Sequence, residues 1–329
     1  MINKLKIIQS NDVDPYINIA LEEELLNSVS KGECILYLWQ NKNTVVIGRN
    51  QNAWVECRTE LLSKEGGNLA RRLSGGGAVY HDLGNLNFTF LMPQEEYDLE
   101  KQLRVIQLAI SNFGIPVEFS GRNDLLADGR KFSGNAFYHC GGKSYHHGTI
   151  LVDVDSEKLS RYLSPSDAKL KAKGVSSVRS RVVNLKELKP DITINAIIDH
   201  LVDAFSAIYK LPIETAILSD TQKANIQKRS VFFRSWDWLY GAPLPFSFSC
   251  EDRFPWGSFQ LLLQVNKGRI NDAKVYTDAM QWELGHEIEI LLQNTNFITE
   301  EITTAIQKAK ALPDEIINDI CNLIKSQNI

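Results

Sequence analysis

Cysteine is scarce and unpatterned in this sequence: Cys34, Cys57, Cys140, Cys250 and Cys321 are the five in 329 residues, and none falls in a C-x-x-C spacing. That suggests neither a disulfide framework nor a thiolate zinc site, and it suits a reducing compartment. No run approaches the roughly eighteen apolar residues of a membrane span. Lys4, Lys6, Asp12 and Asp14 interrupt the amino terminus before a signal core could form. A cytoplasmic protein without membrane attachment is expected. A positive surplus is missing too: 36 Lys and Arg against 40 Asp and Glu leave a formal net charge of -4. A nucleic-acid coat or a polybasic membrane binder is therefore not expected. No internal repeat or low-complexity tract interrupts the chain.

What is present is an ordinary globular composition, 43% hydrophobic and 23% charged, long enough for one large core or two unequal ones. Asp14 can cap a helix, Pro15 suits its first turn, and Ile17, Leu21 and Leu25 repeat at helical spacing. Runs rich in β-branched and aromatic residues predict strands at 35–39, 44–47, 78–81 and 86–91. A helix follows at 99–113, ending at Gly114, and then strands at 117–119, 131–138 and 145–154. Ala127-Asp128-Gly129-Arg130 carries the residues of a tight hairpin turn, which sets Lys131 at the start of a strand. Further helices are predicted at 156–163, 168–172 and 195–209. The pattern lacks regular βαβ alternation, so the fold class is α+β, a mainly antiparallel sheet flanked by helices. Aromatics, Gly, Pro243 and Pro245 mark a boundary near residues 236–248. Residues 1–246 then form the main domain, and 247–329 a small α+β domain with a hairpin (259–265 and 270–276) and three helices.

Four segments carry chemistry. The first is Arg71-Arg72-Leu73-Ser74-Gly75-Gly76-Gly77-Ala78-Val79-Tyr80-His81-Asp82. Its glycines let backbone amides approach an anion, and its arginines offer planar donors to phosphate or carboxylate. A bulge or a flexible turn is the competing explanation, and no Gly-Lys-Ser/Thr follows to make a Walker loop. The second joins Gly121-Arg122-Asn123-Asp124 to Lys131-Phe132-Ser133-Gly134-Asn135-Ala136. An Asn-Asp pair can hold Mg²⁺ or simply form an Asx turn, and a lysine after a turn is often solvated. Here Ser133, Gly134 and Ala136 leave room beside it for something large. The third contains His146 and His147, which on a strand point to opposite faces and so do not share a metal. One faces a ligand, or both are hydrogen-bonded, half-buried rings. The fourth, residues 169–182, concentrates five positive charges, either a solvated face or a docking surface for phosphate or an acidic partner.

Together, in this order, the four segments resemble the lipoate-protein ligase A family. Trp39, the Thr44–Arg49 segment, Ser235-Trp236-Asp237-Trp238 and Arg253-Phe254-Pro255-Trp256-Gly257 extend the likeness over nearly the whole chain. The resemblance implies a catalytic domain similar to that of biotin-protein ligases, followed by a small accessory domain. It implies that lipoate and ATP form lipoyl-AMP, with Mg²⁺, and that the lipoyl group passes to a lysine of a lipoyl acceptor domain. Such domains occur in 2-oxoacid dehydrogenase E2 subunits and in the glycine cleavage H protein. It assigns ATP and adenylate to Arg72, Gly75, Gly76, Gly77, Ala78, Val79, Tyr80, Asn123, Asp124 and Lys131, with Lys131 catalytic and Asp124 toward Mg²⁺. It assigns lipoate to Trp39, Arg72, Lys131 and His147. The alternative is a lipoyl or octanoyl transferase acting on preactivated groups through a cysteine thioester, for which Cys140 is the candidate near the site. A noncatalytic binding module is a third reading. Asn135 and the Cys140-Gly141-Gly142-Lys143 loop depart from the family's usual composition.

Overall fold

A computed structural model describes residues 1–120, 124–163, 182–240, 247–266 and 268–327. The chain divides into two compact units, the first made of Met1–Val46, Cys57–Ala70 and Val79–Leu239. Its main elements are β1 (Lys4–Gln9), α1 (Pro15–Ser28), β2 (Glu33–Trp39), β3 (Thr44–Ile47), β4 (Asn68–Arg71), β5 (Val79–His81) and β6 (Asn85–Pro93). There follow α2 (Leu99–Ser111), β7 (Glu118–Ser120), β8 (Asp124–Ala127), β9 (Arg130–Cys140), β10 (Lys143–Leu151), α3 (Ser156–Tyr162), α4 (Ile194–Tyr209), β11 (Ile213–Thr215) and α5 (Asp220–Arg234).

Eight strands form one sheet in the order β11-β1-β2-β6-β10-β9-β8-β7, and β4-β3-β5 form a smaller one. The large sheet is parallel only at β11-β1-β2. From β2 to β7 it is antiparallel, the expected class. One face carries Leu36, Leu38, Phe88 and Phe90, packed with Val105 and Ile110 of α2 and Leu201 and Phe205 of α4. Burial of each such side chain contributes about 1.5–3 kcal/mol. Side chains alternate along each strand, so Tyr37, Trp39, Asn87 and Thr89 face the other way. Helix α1 contacts β2, β6 and β10. It starts as expected, Asp14 Oδ1 accepting from the Tyr16 amide at 2.9 Å. Helix α5 lies along α1, where Arg229 grips Glu23.

The second unit comprises Ile47–Glu56, Arg71–Ala78 and Tyr240–Ile329. It therefore takes in two segments that a contiguous division at residues 246 and 247 leaves elsewhere. Its sheet, β12 (Phe248–Phe254), β13 (Gly257–Asn266) and β14 (Arg269–Thr277), is followed by α6 (Glu283–Leu292), α7 (Thr299–Ile306) and α8 (Asp314–Ser326). The hairpin and three helices match the expectation, and β12 adds a strand to it. Alternation along β13 sends Phe259, Leu261 and Leu263 into a core with Ile288, Ile302 and Ile320. Among the described residues no helix is long and apolar enough to cross a membrane. The expected helix at 168–172 and most of the positively charged fourth segment lie outside the described residues.

Candidate active site

The β8-β9 turn sets the position of Lys131. Asp128 and Gly129 adopt φ of 52° and 67°, the left-handed pair that a two-residue hairpin requires. Ala127 pairs with Arg130 and Leu126 with Lys131, but Leu125 pairs with Ser133, so Phe132 is an extra residue in β9. Such a bulge shifts the alternation by one. Phe132 remains in the core while Lys131 turns to the face of Asp124, whose cross-strand partner is Gly134. There Lys131 Nζ stands 2.7 Å from Asp124 Oδ1, each side chain 35% exposed. A methyl group on Gly134 would lie 2.8 Å from both Cε and Nζ of Lys131. The missing side chain at Gly134 is the space that the ammonium group occupies.

From this pair a row of residues crosses the sheet on one face. Asp124 pairs with Gly134, and the Gly134 amide donates to Thr149 Oγ1 at 3.3 Å. Thr149 pairs with Asn87, and Asn87 with Trp39. The row passes from the partly exposed Asp124, Gly134 and Thr149 to the buried Asn87 and Trp39, 2% and 4% exposed. Trp39 stacks on Tyr37 with ring centroids 5.7 Å apart and spends its indole N–H on Thr89 Oγ1 at 3.1 Å. Thr89 Oγ1 donates in turn to Glu22 Oε1 at 2.7 Å, which also lies 2.8 Å from His147 Nδ1. A carboxylate of α1 thus ties together Trp39 and His147, both expected at the lipoate. Sequence reasoning passed over Glu22, although polar Asn18 and Glu22 at i,i+4 inside the buried stripe of α1 are a readable signal.

The neighbouring histidines do face opposite ways. His146 lies in the core between Phe88, Phe90 and Phe137, with Nδ1 2.9 Å from Gln102 Oε1 and Nε2 2.8 Å from Asn135 Oδ1. Burial pushes its pKa down to about 3, and the neighbouring His147 adds to the effect. Asn135, where the sequence departs from the family's usual composition, is the partner of this buried ring.

Cys140 is exposed at the far end of β9 from Lys131. Nine residues of strand, at about 3.3 Å each, separate the two by roughly 30 Å. Cys140, expected near the site, is thus carried away from Lys131 by an extended strand. The other four cysteines are buried.

The glycine-rich segment up to Ala78 belongs to the second unit, whereas Val79 and Tyr80 continue into β5 of the first. Arg71 is buried, and its Nη1 donates to the carbonyls of Gly48, Arg49 and Gln51 at 3.1, 2.8 and 2.7 Å. Burial lowers its pKa to about 10. It anchors the 48–51 turn. Arg72 Nη2 reaches Gly75 O and Gly77 O, each at 2.7 Å, and its Nε reaches Ser74 Oγ at 3.1 Å. Gly76 takes φ +87°, and a Cβ on Gly75 would meet Ala279 O at 2.5 Å. These two glycines answer local geometry, while a Cβ on Gly77 would meet nothing within 4 Å. The Gly76 amide donates to Ala279 O at 2.9 Å. Ala78 and Val79 are partly exposed. Tyr80 is buried, its hydroxyl donating to Asn43 Oδ1 at 3.1 Å. Asn123 lies outside the described residues. No group of three His, Cys, Asp or Glu able to hold a metal occurs among those that are described. A single carboxylate at Asp124 fits Mg²⁺ when phosphate oxygens supply most of its ligands.

Residues 14–206 match the family described as the lipoyl protein ligase A/B catalytic domain, and residues 244–324 match the bacterial lipoate protein ligase C-terminus. Lipoate-protein ligase A of Psychrobacter cryohalolentis is 41% identical over 289 residues, 85% of each chain. The chain belongs to the lipoate-protein ligase A family. Among solved structures, P. falciparum LipL1 in complex with lipoate superposes with a TM-score of 0.86 at 27% identity, covering 98% of this chain and 99% of that one. A bi-partite lipoate protein ligase of Thermoplasma acidophilum, described with its E2 lipoyl domain, gives a TM-score of 0.65 at 25% identity. That match covers 75% of this chain and 100% of the other. The α+β fold is thus that of the lipoate ligases.

Proposed function

We propose that this chain is an ATP-dependent lipoate-protein ligase: lipoate and ATP give lipoyl-AMP and pyrophosphate, and an acceptor lysine then takes the lipoyl group, releasing AMP. The observation that carries the reading is the Lys131 ammonium group held over Gly134 at the open end of a row that closes on Trp39. Attack of a carboxylate oxygen on the α-phosphate brings two anions together, so a fixed cation there lowers the barrier. Lys131 neutralises that charge, then stabilises the oxyanion that forms when the acceptor amine attacks the acyl carbonyl. The apolar tail runs toward Trp39 and His147. Arg72 and the Gly75–Tyr80 segment take the nucleotide. For its amide to reach phosphate, Gly76 exchanges Ala279 O for the ligand. Asp124, with Asn123, would hold Mg²⁺, which would supply charge neutralisation at the phosphates.

Residues 1–246 act as the adenylating domain and 247–329 as its accessory. The acceptors are lipoyl domains such as that of an E2 subunit, a reading supported by the archaeal relative described with one; the glycine cleavage H protein is proposed as another. The cytoplasm suits five unpaired cysteines. An acyltransferase using Cys140 finds no support, since that thiol stands at the other end of β9. The test is direct: incubate the protein with a purified E2 lipoyl domain, ATP, Mg²⁺ and lipoate, then weigh the acceptor. One lipoyl group added only when ATP is present supports the proposal, and modification without ATP contradicts it.

A further inference from the structure

Asn87 sits in the middle of the row, between Thr149 and Trp39, and is 2% exposed. Its Oδ1 accepts from Asn85 Nδ2 at 2.9 Å, but its own Nδ2 donates to nothing among the described residues. A buried donor left unmatched destabilises a fold by about 1–3 kcal/mol, a cost more readily retained where a ligand supplies the acceptor. Beside it the Trp39 N–H is already bound to Thr89, so Trp39 presents ring surface.

Distance indicates which part of a substrate reaches this amide. Asn87 lies two strands from Gly134, about 10 Å at roughly 4.8 Å per strand. In lipoate the nearer ring sulfur is six bonds from the carboxyl carbon, roughly 7 Å at about 1.2 Å per bond of extended chain. With the carboxylate at Lys131, the dithiolane ring arrives where the Asn87 side chain can reach it. A disulfide sulfur, like that of a thioether, is a weak acceptor, whereas the tail of octanoate offers only C–H at that depth.

We propose that Asn87 is a specificity-determining residue that donates through Nδ2 to a dithiolane sulfur and so favours lipoate over octanoate. The inference rests on the ligase reading and on Lys131 holding the carboxyl end. The purified full chain is assayed for pyrophosphate release with ATP and either acid, wild type beside Asn87→Leu, which keeps the branching at Cγ and removes the donor. In Asn87→Leu, kcat/KM for lipoate falls roughly five- to tenfold, while the value for octanoate holds or rises. An unchanged lipoate-to-octanoate ratio, in a variant that still adenylates octanoate, overturns the proposal. Asn87→Thr, suited to a strand and lacking the amide, gives the same comparison if the leucine variant does not fold. A wild-type protein that activates neither acid contradicts the ligase reading itself, a different result from an unchanged ratio.

Discussion

Lys131 Nζ and Asp124 Oδ1 lie 2.7 Å apart on adjacent strands, on one face because Phe132 bulges out of register. Both side chains are 35% exposed, so solvent screens the pair and it contributes little to stability. Its value is orientation. Asp124→Asn is expected to leave the melting temperature unchanged to within about 2 °C, while adenylate formation falls at least about tenfold. Calorimetry beside a pyrophosphate-release assay checks both halves, and a large stability loss with normal activity would reverse the assignment.

Gly134→Ala tests the space that the lysine uses. The added methyl group meets the mobile end of Lys131 at 2.8 Å rather than backbone, so the fold can adjust by moving that side chain. The expected result is a variant within about 1 kcal/mol of wild-type stability, with kcat for adenylation down roughly tenfold or more. A KM for ATP changed alone, with kcat intact, would show that the lysine had not been displaced.

His146 predicts a pH dependence. Burial holds its ring neutral down to about 3 in the folded protein, whereas in the unfolded chain it takes a proton near 6.5. Between those values the unfolded state binds more protons, so stability is full above about 6.5 and falls as the pH drops toward 3. His146→Leu should flatten that part of the slope, at a cost of about 1–3 kcal/mol for each polar partner left unpaired. Urea midpoints at a series of pH values measure it, and parallel slopes for the two proteins would contradict the assignment.

Much of this was legible in the sequence because it is local. Asp14 before Pro15 starts α1, and Asp128-Gly129 turns the β8-β9 hairpin with Lys131 just beyond it. Neighbouring histidines on a strand had to face apart. What escaped depends on residues distant in the chain. Glu22 reaches a histidine 125 positions away, and no spacing rule reports that. Gly75 packs against Ala279 within the second unit, so the glycine-rich segment shares a unit with the carboxyl-terminal residues, contrary to what a contiguous boundary suggests. Strand β1 alternates lysine with apolar residues, a pattern that reads first as the charge interrupting a signal core. Cys140 looked close to the site because it is close in sequence, and an extended strand turns that into separation.

The central claim is that one ammonium group, not a thiol, carries the chemistry. The most direct measurement is lipoyl-AMP formation from ATP, Mg²⁺ and lipoate without an acceptor, comparing Lys131→Ala and Cys140→Ala with the unaltered protein. Lys131→Ala should lose about 10²-fold or more of the rate, while Cys140→Ala keeps it. Adenylate made by Lys131→Ala at the wild-type rate would contradict the account.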